Sequence, residues 1–406
     1  MKERSHSSAD SPQKVTIHQF HYHAAGEDAI TNQMRFIRNS LHEAGIAGEV
    51  FAKEIKGTAR SWVLPYNKET LWNSDLLLIH HSQENPKLDE LLEIEVPKAI
   101  VYHNVTPADF FAHDPVAAEL SRKGRLQLRR FKGKCDASFA DSRFNRRELE
   151  SQGIHHAEIL PLFDLRDMPE VPPKATGANG SPRAPRVTGS PKQMGGKEGW
   201  HVLFVGRVAP HKNQAKLIET LYYLKALSPQ SRLTLVGGED RVYGLYLRDL
   251  VRHLDLGNSV RFAGKIPQEV LEECFASADT FLCLSQHEGF CIPLIEAMRR
   301  QLPVISTIHG AMRETLGEAG LQLQTENPKE VAAIIHTVLQ NKEALSELRA
   351  GQRTQLKFIA ETQDKKRVVG LLTSLVEQMR THARGTPLHT KSRSSSHAPK
   401  ETSPGA

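Results

Sequence analysis

Residues 285–298 read SQHEGFCIPLIEAM and follow a short apolar run, residues 280–284, that is typical of a buried strand. Pro293 stands where the first turn of a helix would begin. A strand, a tight loop that contains glycine and a helix together bring backbone N–H groups and the positive helix end up to a phosphate. This stretch therefore predicts the ligand-binding edge of an α/β domain.

Two carboxylates lie in this stretch, Glu288 in the predicted loop and Glu296 within the first turns of the predicted helix. Because like charges repel, we do not expect them to bind phosphates themselves. They can accept hydrogen bonds from hydroxyl groups attached to a phosphate, such as those of a ribose or a hexose. A nucleotide-sugar carries both kinds of group. The alternative is a solvated glutamate in a loop and a second one on a helix face.

The bulk composition is typical of a globular chain of two domains. The chain has 406 residues, of which 25% are charged and 39% hydrophobic. No apolar run has the length that spanning a bilayer requires, and the polar N-terminus has no secretory signal. The four cysteines, at positions 135, 274, 283 and 291, form no C-x-x-C pair and are expected to be buried, reduced thiols. These features predict a cytoplasmic setting.

The charge balance is mildly basic, with a net charge of +6 and a pI near 9.0. Such an excess predicts an anionic partner: a nucleotide diphosphate, an anionic membrane surface at the inner face or, least favoured, a nucleic acid.

Residues 14–165 are predicted to form one doubly wound α/β domain. The predicted opening is a strand at 15–20, a loop to residue 28 that contains Gly26, and an amphipathic helix at 29–44. The loop lacks G-x-G-x-x-G, which counts against a dinucleotide-binding oxidoreductase. Asp141 or Ser142 is the predicted N-cap of a later helix. Further strands are predicted at 48–52, 75–80 and 99–103.

Residues 200–357 are predicted to form a second domain of the same kind. A strand at 201–205 precedes a loop in which Arg207 and Lys212 stand five residues apart. A guanidinium and an ammonium so placed can bracket a diphosphate. Helices are predicted at 215–227, 327–339 and 342–378, strands at 232–236 and 303–306, and a strand followed by a loop at 260–267.

Three segments have the composition of structureless chain. Residues 1–13 and 381–406 are predicted to be disordered tails, and the Pro-, Gly- and Ser-rich residues 166–199 a flexible linker or insertion. A basic run at 122–134 is interpreted as a solvated helix face, with docking on an anionic membrane as the alternative.

The stretch at 285–298 resembles the E-x7-E motif of the retaining GT-B glycosyltransferases of family 4. The match covers Ser285, Glu288 to Phe290, Pro293 and Glu296 to Met298 together. Residues 206–213 are similar to that family's "GR-x2-P-x-KN" segment, 103–107 to its "HN-(I/V)-TP" stretch and 310–314 to its "G-x-x-x-E" turn. In relatives glycine is common at the positions of Cys291 and Gln301.

This resemblance implies two Rossmann-like domains that face each other across a cleft, with a last helix, at about 358–379, crossing back to the first domain. It implies transfer of a hexosyl-type group from a nucleoside diphosphate sugar to an acceptor hydroxyl, with retention of configuration. Arg207, Lys212 and the amides near Phe290 would stabilise the leaving diphosphate, Glu288 would bind the sugar, and His103 would reach it from the first domain. The donor-binding set so implied is Gly26, Lys265, Ile266, Gly289, Phe290, Cys291 and Glu296, the last on the ribose.

No cofactor is expected, because the donor is a substrate. No metal is expected either, because the chain has no D-x-D motif and Arg207 and Lys212 can neutralise the diphosphate. Two other classes stay open: a GT-B-shaped binding protein without turnover, and a sugar-nucleotide epimerase. The base, the sugar and the acceptor, whether polysaccharide, lipid-linked glycan or protein, are not determined by the sequence.

Overall fold

The computed structural model describes residues 15–26, 28–168 and 199–385, with side chains as far as residue 381. The predicted tail at 1–13 and nearly all of the predicted linker at 166–199 lie outside the described residues. The same is true of the predicted tail at 381–406 beyond residue 385.

The first domain is built on one parallel sheet of seven strands in the order β3-β2-β1-β4-β5-β6-β7. Its strands are β1 (Ile17–Ala25), β2 (Val50–Lys56), β3 (Leu64–Pro65), β4 (Leu76–His81), β5 (Lys98–Tyr102), β6 (Ala137–Ala140) and β7 (Glu158–Ile159). Its helices are α1 (Ala29–Glu43), α2 (Lys68–Leu71), α3 (Leu88–Leu92), α4 (Pro115–Phe131) and α5 (Arg143–Ser151). The doubly wound domain predicted for this half of the chain is confirmed.

The second domain repeats this plan with six parallel strands in the order β10-β9-β8-β11-β12-β13. The strands are β8 (His201–Val205), β9 (Arg232–Val236), β10 (Val260–Gly264), β11 (Thr280–Cys283), β12 (Val304–Ser306) and β13 (Leu321–Gln322). The helices are α6 (Gln214–Leu227), α7 (Arg241–His253), α8 (Gln268–Ser277), α9 (Ile292–Arg299), α10 (Met312–Leu316), α11 (Pro328–Gln340) and α12 (Lys342–Thr362). The strand order reverses beside β8, which is where ligands bind in open α/β sheets.

Local sequence explains several helix starts. The side chain of Ser142 accepts a hydrogen bond from the Asn145 amide at 3.1 Å, which makes Ser142, of the two predicted candidates, the N-cap of α5. Pro293 lies in the first turn of α9, as predicted, where the missing N–H costs nothing.

The first strand is longer than predicted. Instead of ending at Phe20, β1 continues to Ala25, and its parallel pairing with β2 extends to Ala25 and Lys56. Residues 21–23 are His, Tyr and His, so the apolar run of the strand stops at Phe20 and gives no sign of this extension. Main-chain pairing with β2 accounts for the extra length of β1.

The helix that returns to the first domain also differs from the prediction. It is α13 (Lys365–Gly385), separated from α12 at residues 363–364. Ile359, which the predicted helix included, belongs to the core of the second domain. Leu372 and Val376 of α13 pack on Ile37 in the core of the first domain. No proline or glycine stands at this break, and the helical periodicity of the sequence continues across it. The sequence therefore predicts a continuous helix here.

Contacts between distant segments hold that crossing point in place. Gln363 Oε1 accepts a hydrogen bond from the Leu162 amide at 2.8 Å. Asp164 pairs with Arg166, whose guanidinium also lies 3.0 Å from Asp364. The two places where the chain passes between the domains therefore lie together.

Among the described residues, no helix combines the length and the apolar character that crossing a bilayer requires.

Buried neutral histidines make the fold sensitive to acid. Burial lowers the pKa of His81 and of His201 to about 4, against about 6.5 in an unfolded chain. Between these values the unfolded chain binds more protons than the folded chain, so stability is lost as the pH falls below 6.5.

We expect the free energy of unfolding to decrease between pH 7 and 5 by roughly 2 kcal/mol for each such histidine. In His81→Gln this dependence should be shallower by about that amount, because one titrating group is gone. Urea unfolding followed at several pH values measures it, with His253→Gln as the exposed control. Equal slopes in wild type and His81→Gln would contradict the assignment.

Candidate active site

An ion pair joins two loops at the carboxyl edge of the second sheet. Lys212 follows β8 and Glu288 follows β11, and Lys212 Nζ lies 2.6 Å from Glu288 Oε2. The two side chains are 17% and 8% exposed. Burial acts to lower the pKa of Lys212, but the attraction of Glu288 and the neighbouring thiols outweighs it, so the pKa is raised. Lys212 is therefore charged at neutral pH.

The backbone around Glu288 is held on two sides. The Gln286 amide donates to the His211 carbonyl at 2.8 Å, which ties the loop to the one that carries Lys212. The Ala311 amide donates to the Glu288 carbonyl at 2.9 Å. Gly310 has φ +62°, and a Cβ there would lie 2.4 Å from that same carbonyl oxygen. The glycine of the predicted turn at 310–314 is thus required by the approach of the Glu288 loop.

The second predicted carboxylate, Glu296, lies in α9 and is partly buried. Burial raises its pKa. Arg300, one turn on, donates to the main-chain oxygen of Glu296 and directs its guanidinium to Glu272. No hydrogen bond reaches the Glu296 carboxylate from the described residues, so this carboxylate can accept one from a ligand.

Arg207 stands beside Lys212 on the same loop and is exposed. Within the described part of the chain its guanidinium makes no hydrogen bond. Two cationic side chains therefore lie at the same sheet edge, after β8. Lys212 is held by Glu288, and Arg207 is directed to solvent.

The remaining predicted donor residues also lie at carboxyl ends of strands. Lys265 and Ile266 follow β10, and the Lys265 side chain passes over Gly238. Phe290 lies edge-on to Phe163 with ring centroids 6.1 Å apart. Gly26 directly follows β1 in the other sheet, with its backbone against Thr58, and no contact described for it reaches the Lys212–Glu288 pair. Their donor-binding roles remain predictions.

His103 lies at the end of β5, in a hydrogen-bonded chain of buried side chains. Gln19 Nε2 donates to the Met34 carbonyl at 3.0 Å, so its Oε1 accepts from His80 Nε2 at 3.1 Å. Burial lowers the pKa of His80 well below its usual range, so its ring is neutral and its Nδ1 accepts from His103 Nε2 at 2.7 Å. His103 Nδ1 donates to Asp141 at 2.9 Å.

Both ring nitrogens of His103 thus have hydrogen-bond partners inside the first domain. A direct contact between His103 and a sugar would require one of these bonds to be exchanged, so that role stays a prediction. Sequence reasoning singled out neither Gln19 nor His80, nor the bond from Asp141 to His103. One feature of the sequence could have indicated this network: polar side chains stand near the carboxyl ends of otherwise apolar strands.

The two domains meet at the Glu288 loop. A Cβ on Gly289 would lie 3.1 Å from the His103 carbonyl oxygen, so the loop passes close to the end of β5. His287 Nε2 lies 2.5 Å from Asn104 Oδ1. Burial lowers the pKa of His287 to about 4, so it is the neutral ring that donates here.

Glu314 makes a second contact between the domains. Its carboxylate, on α10 of the second domain, accepts hydrogen bonds from the amides of Arg143 and Phe144 at 2.8 and 2.9 Å. These are the first amides of α5 in the first domain, where a negative charge is stabilised by the helix end. The predicted "G-x-x-x-E" turn therefore holds the Glu288 loop through its glycine and the other domain through its glutamate.

Comparison with known sequences finds similarity in the second half of the chain. Residues 191–355 match the family model described as Glycosyl transferases group 1. The mannosylfructose-phosphate synthase of Agrobacterium fabrum is 35% identical over 127 residues, 30% of this chain and 28% of that protein. The O-antigen chain mannosyltransferase B of Escherichia coli is 32% identical over 146 residues, 35% and 36% of the two chains. The chain thus spans about a third of the length of these curated relatives.

Solved structures match over nearly the whole chain. Anabaena Alr3699/HepE in complex with UDP-glucose superposes with a TM-score of 0.65 at 15% identity, over 91% of this chain and 100% of that one. The sucrose-phosphate synthase of Thermosynechococcus elongatus superposes with a TM-score of 0.63 at 16% identity, with the same coverage. Similarity at this level of identity concerns the fold. The chain therefore has the GT-B fold, and its second domain carries the match to the glycosyl transferases of group 1.

Proposed function

We propose that this chain is a retaining glycosyltransferase that moves a hexosyl-type group from a nucleoside diphosphate sugar to an acceptor hydroxyl, in the synthesis of a glycan, polysaccharide or glycolipid. The observation that carries the proposal is the Lys212–Glu288 pair at the sheet edge, with Arg207 beside it and the unpartnered Glu296 in the following helix. Two cations suit a diphosphate, and two carboxylates suit the hydroxyl groups on either side of it.

The proposed step breaks the bond between the sugar's anomeric carbon and the diphosphate oxygen, and forms a bond to the acceptor oxygen on the same face. The acceptor proton passes to the departing phosphate oxygen, so no side-chain base is assigned. Negative charge grows on the diphosphate as the bond breaks. Arg207, Lys212 and the backbone amides at Phe290 and Cys291 would stabilise that charge, which is the type of fixed electrostatic environment that lowers such barriers most.

The donor would also change the electrostatics of the site. In the structure, the charge of Lys212 is paired with Glu288. A diphosphate offers Lys212 a second anionic partner, and the sugar hydroxyls offer Glu288 donors in its place. Binding would therefore exchange one buried ion pair for contacts with both halves of the donor, which couples recognition of the phosphates to recognition of the sugar.

The names of the relatives support a sugar-transfer reaction but do not identify a particular sugar. They include a mannosyltransferase and a D-inositol 3-phosphate glycosyltransferase, and a structural neighbour was solved with UDP-glucose. The proposal therefore leaves the base and the hexose to a donor panel. It includes no catalytic metal.

Peripheral contact with an anionic membrane through α4 is a secondary part of the proposal. Val116, Leu120 and Leu126 are 70%, 42% and 61% exposed on this helix, among exposed arginines and lysines. Exposed apolar and basic side chains on one helix suit a membrane surface. Part of the positive charge is already paired, since Arg122 contacts Glu119 and Arg130 contacts Asp89.

Replacement of Arg207 or Glu288 should strongly lower turnover. We expect Arg207→Ala and Glu288→Gln each to lower donor hydrolysis or transfer by a factor of about 100 to 1,000, the usual effect of removing one group that stabilises developing charge or orients the substrate. A panel of UDP-, GDP-, ADP- and dTDP-linked sugars, followed by release of the nucleotide, measures this effect. Arg353→Ala and Glu269→Gln, both exposed elsewhere, are the matched controls.

If no donor of the panel binds or turns over, or if the variants match wild type, the transferase proposal is wrong. Turnover of a donor into its epimer without an acceptor would instead identify an epimerase.

Glu296→Gln should weaken binding of the nucleotide half of the donor. Loss of a charged acceptor for the ribose hydroxyls should raise the donor KM about 10-fold, equivalent to 1–2 kcal/mol, and change kcat little. The 2′,3′-dideoxy analogue of the same donor tests the assignment, because wild type and variant should bind it alike. A variant that weakens both donors equally would show that Glu296 does not bind the ribose.

Glu314→Ala should favour separation of the two domains. Removing a helix cap costs about 0.5–2 kcal/mol, so the contact that holds the Glu288 loop against α5 would open more often. We expect a larger radius of gyration in solution scattering without donor, and a higher donor KM. Glu318→Ala, exposed one turn away, should change neither, and an unchanged radius in Glu314→Ala would refute this role.

A further inference from the structure

Two buried cysteines flank the Glu288 loop. Cys283 ends β11 and Cys291 caps the start of α9. Their sulfur atoms and a carboxylate oxygen of Glu288 all lie within 4.8 Å of one another, and all three residues are buried. The proposed reaction uses neither thiol. We propose that Cys283, Glu288 and Cys291 form a binding site for a thiophilic divalent cation of the Zn²⁺ type, and that its occupation blocks the donor site.

The donor set favours such a cation. Zn²⁺ binds cysteine sulfur and carboxylate oxygen, and sites with three protein ligands leave a fourth position open. At a Zn–S distance of about 2.3 Å, the ligand atoms of a tetrahedral site lie roughly 3.8 Å apart. The present separations therefore need to shrink by about 1 Å at most. Mg²⁺ and Ca²⁺ prefer oxygen ligands, so two sulfurs select against them.

The backbone at Cys291 is a second and independent observation. Its φ and ψ are +71° and 63°, in the left-handed region. A residue with a Cβ is strained there by about 1–2 kcal/mol, whereas glycine is not. Cys291 nevertheless places a buried sulfur beside Cys283 at this position. Strain held at a site of this kind points to a role for the side chain.

The surroundings of Cys283 complete a pocket for the sulfurs. Ser285 Oγ lies 3.3 Å from the Cys283 sulfur, and the Met312 sulfur lies 3.6 Å from it. These neighbours hold the thiol in the direction of Cys291 and Glu288.

Lys212 would compete with the cation. Its ammonium lies 2.6 Å from Glu288 Oε2, so a divalent cation at the same carboxylate would repel it. When the cation binds, both thiols lose their protons to solvent and Lys212 leaves Glu288. The carboxylate that would hold the sugar is then a ligand of the cation, and the positive charge at this position displaces Lys212 from the place it holds beside Glu288. Cation and donor therefore exclude each other; this consequence rests on the proposed function, whereas the site itself does not.

The site is tested directly by spectroscopy of the reduced full chain. Titration with Co²⁺ or Cd²⁺ should produce sulfur-to-metal charge-transfer absorption that saturates at one ion per chain. Cys283→Ser should abolish it, and Cys274→Ser, which removes a buried thiol outside the cluster, should leave it intact. Absence of the absorption in wild type, or its persistence in Cys283→Ser, would overturn the proposal.

The competition is tested by a second variant. Removal of the ammonium in Lys212→Met should tighten Cd²⁺ binding by a factor of 10 or more, because the repulsion is gone. Unchanged affinity would mean that the ion does not bind at Glu288.

Inhibition is measured separately. Micromolar Zn²⁺ should stop donor turnover in wild type, a chelator should restore it, and Cys283→Ser should keep its activity in the presence of Zn²⁺. Turnover that Zn²⁺ leaves intact, together with a positive absorption titration, would overturn the blocking role alone. An inactive chain that still shows the absorption would count against the proposed transferase and not against the metal site.

Discussion

The buried pair of Lys212 and Glu288 is the interaction on which the site depends. Each charge loses solvation that is worth several kcal/mol, and only the partner at 2.6 Å makes the burial of the other tolerable. Such a pair contributes little net stability compared with apolar residues of the same size. Its presence at the reversal of the strand order is therefore better explained by ligand binding than by folding.

The backbone of three loops is arranged around this pair. The loops after β8 and β11 are joined by one main-chain hydrogen bond, and the turn before α10 is joined to Glu288 by another. Gly310 permits the second contact and Gly289 permits the approach of the first domain. A shift of any of these loops would move a charged side chain in the low-dielectric interior, where electrostatic energies change steeply with distance. The domain contact through Glu314 thus acts on the same loops that hold the charges.

The first domain presents a different kind of polar site. Its sheet edge is organised by hydrogen-bonded side chains, from Gln19 through His80 and His103 to the carboxylate of Asp141. This chain holds the end of β5 rigidly against the Gly289 loop. One domain therefore carries the cationic side chains suited to a charged ligand, and the other faces them with hydrogen-bonded polar side chains.

The sequence by itself determined the two strand–helix alternations, the loops that carry Arg207, Lys212 and Glu288, and a helix cap at either Asp141 or Ser142. These features depend on local periodicity, turn residues and N-caps, which a few neighbouring residues encode. Only the tertiary structure decided that β1 continues to Ala25, that the return helix begins at Lys365, and that His80 lies against His103. It also brought Glu314 to the amides of α5, 170 positions away in the chain. Each of these depends on packing between segments distant in sequence, and no local pattern of residues specifies which distant partner a side chain will meet.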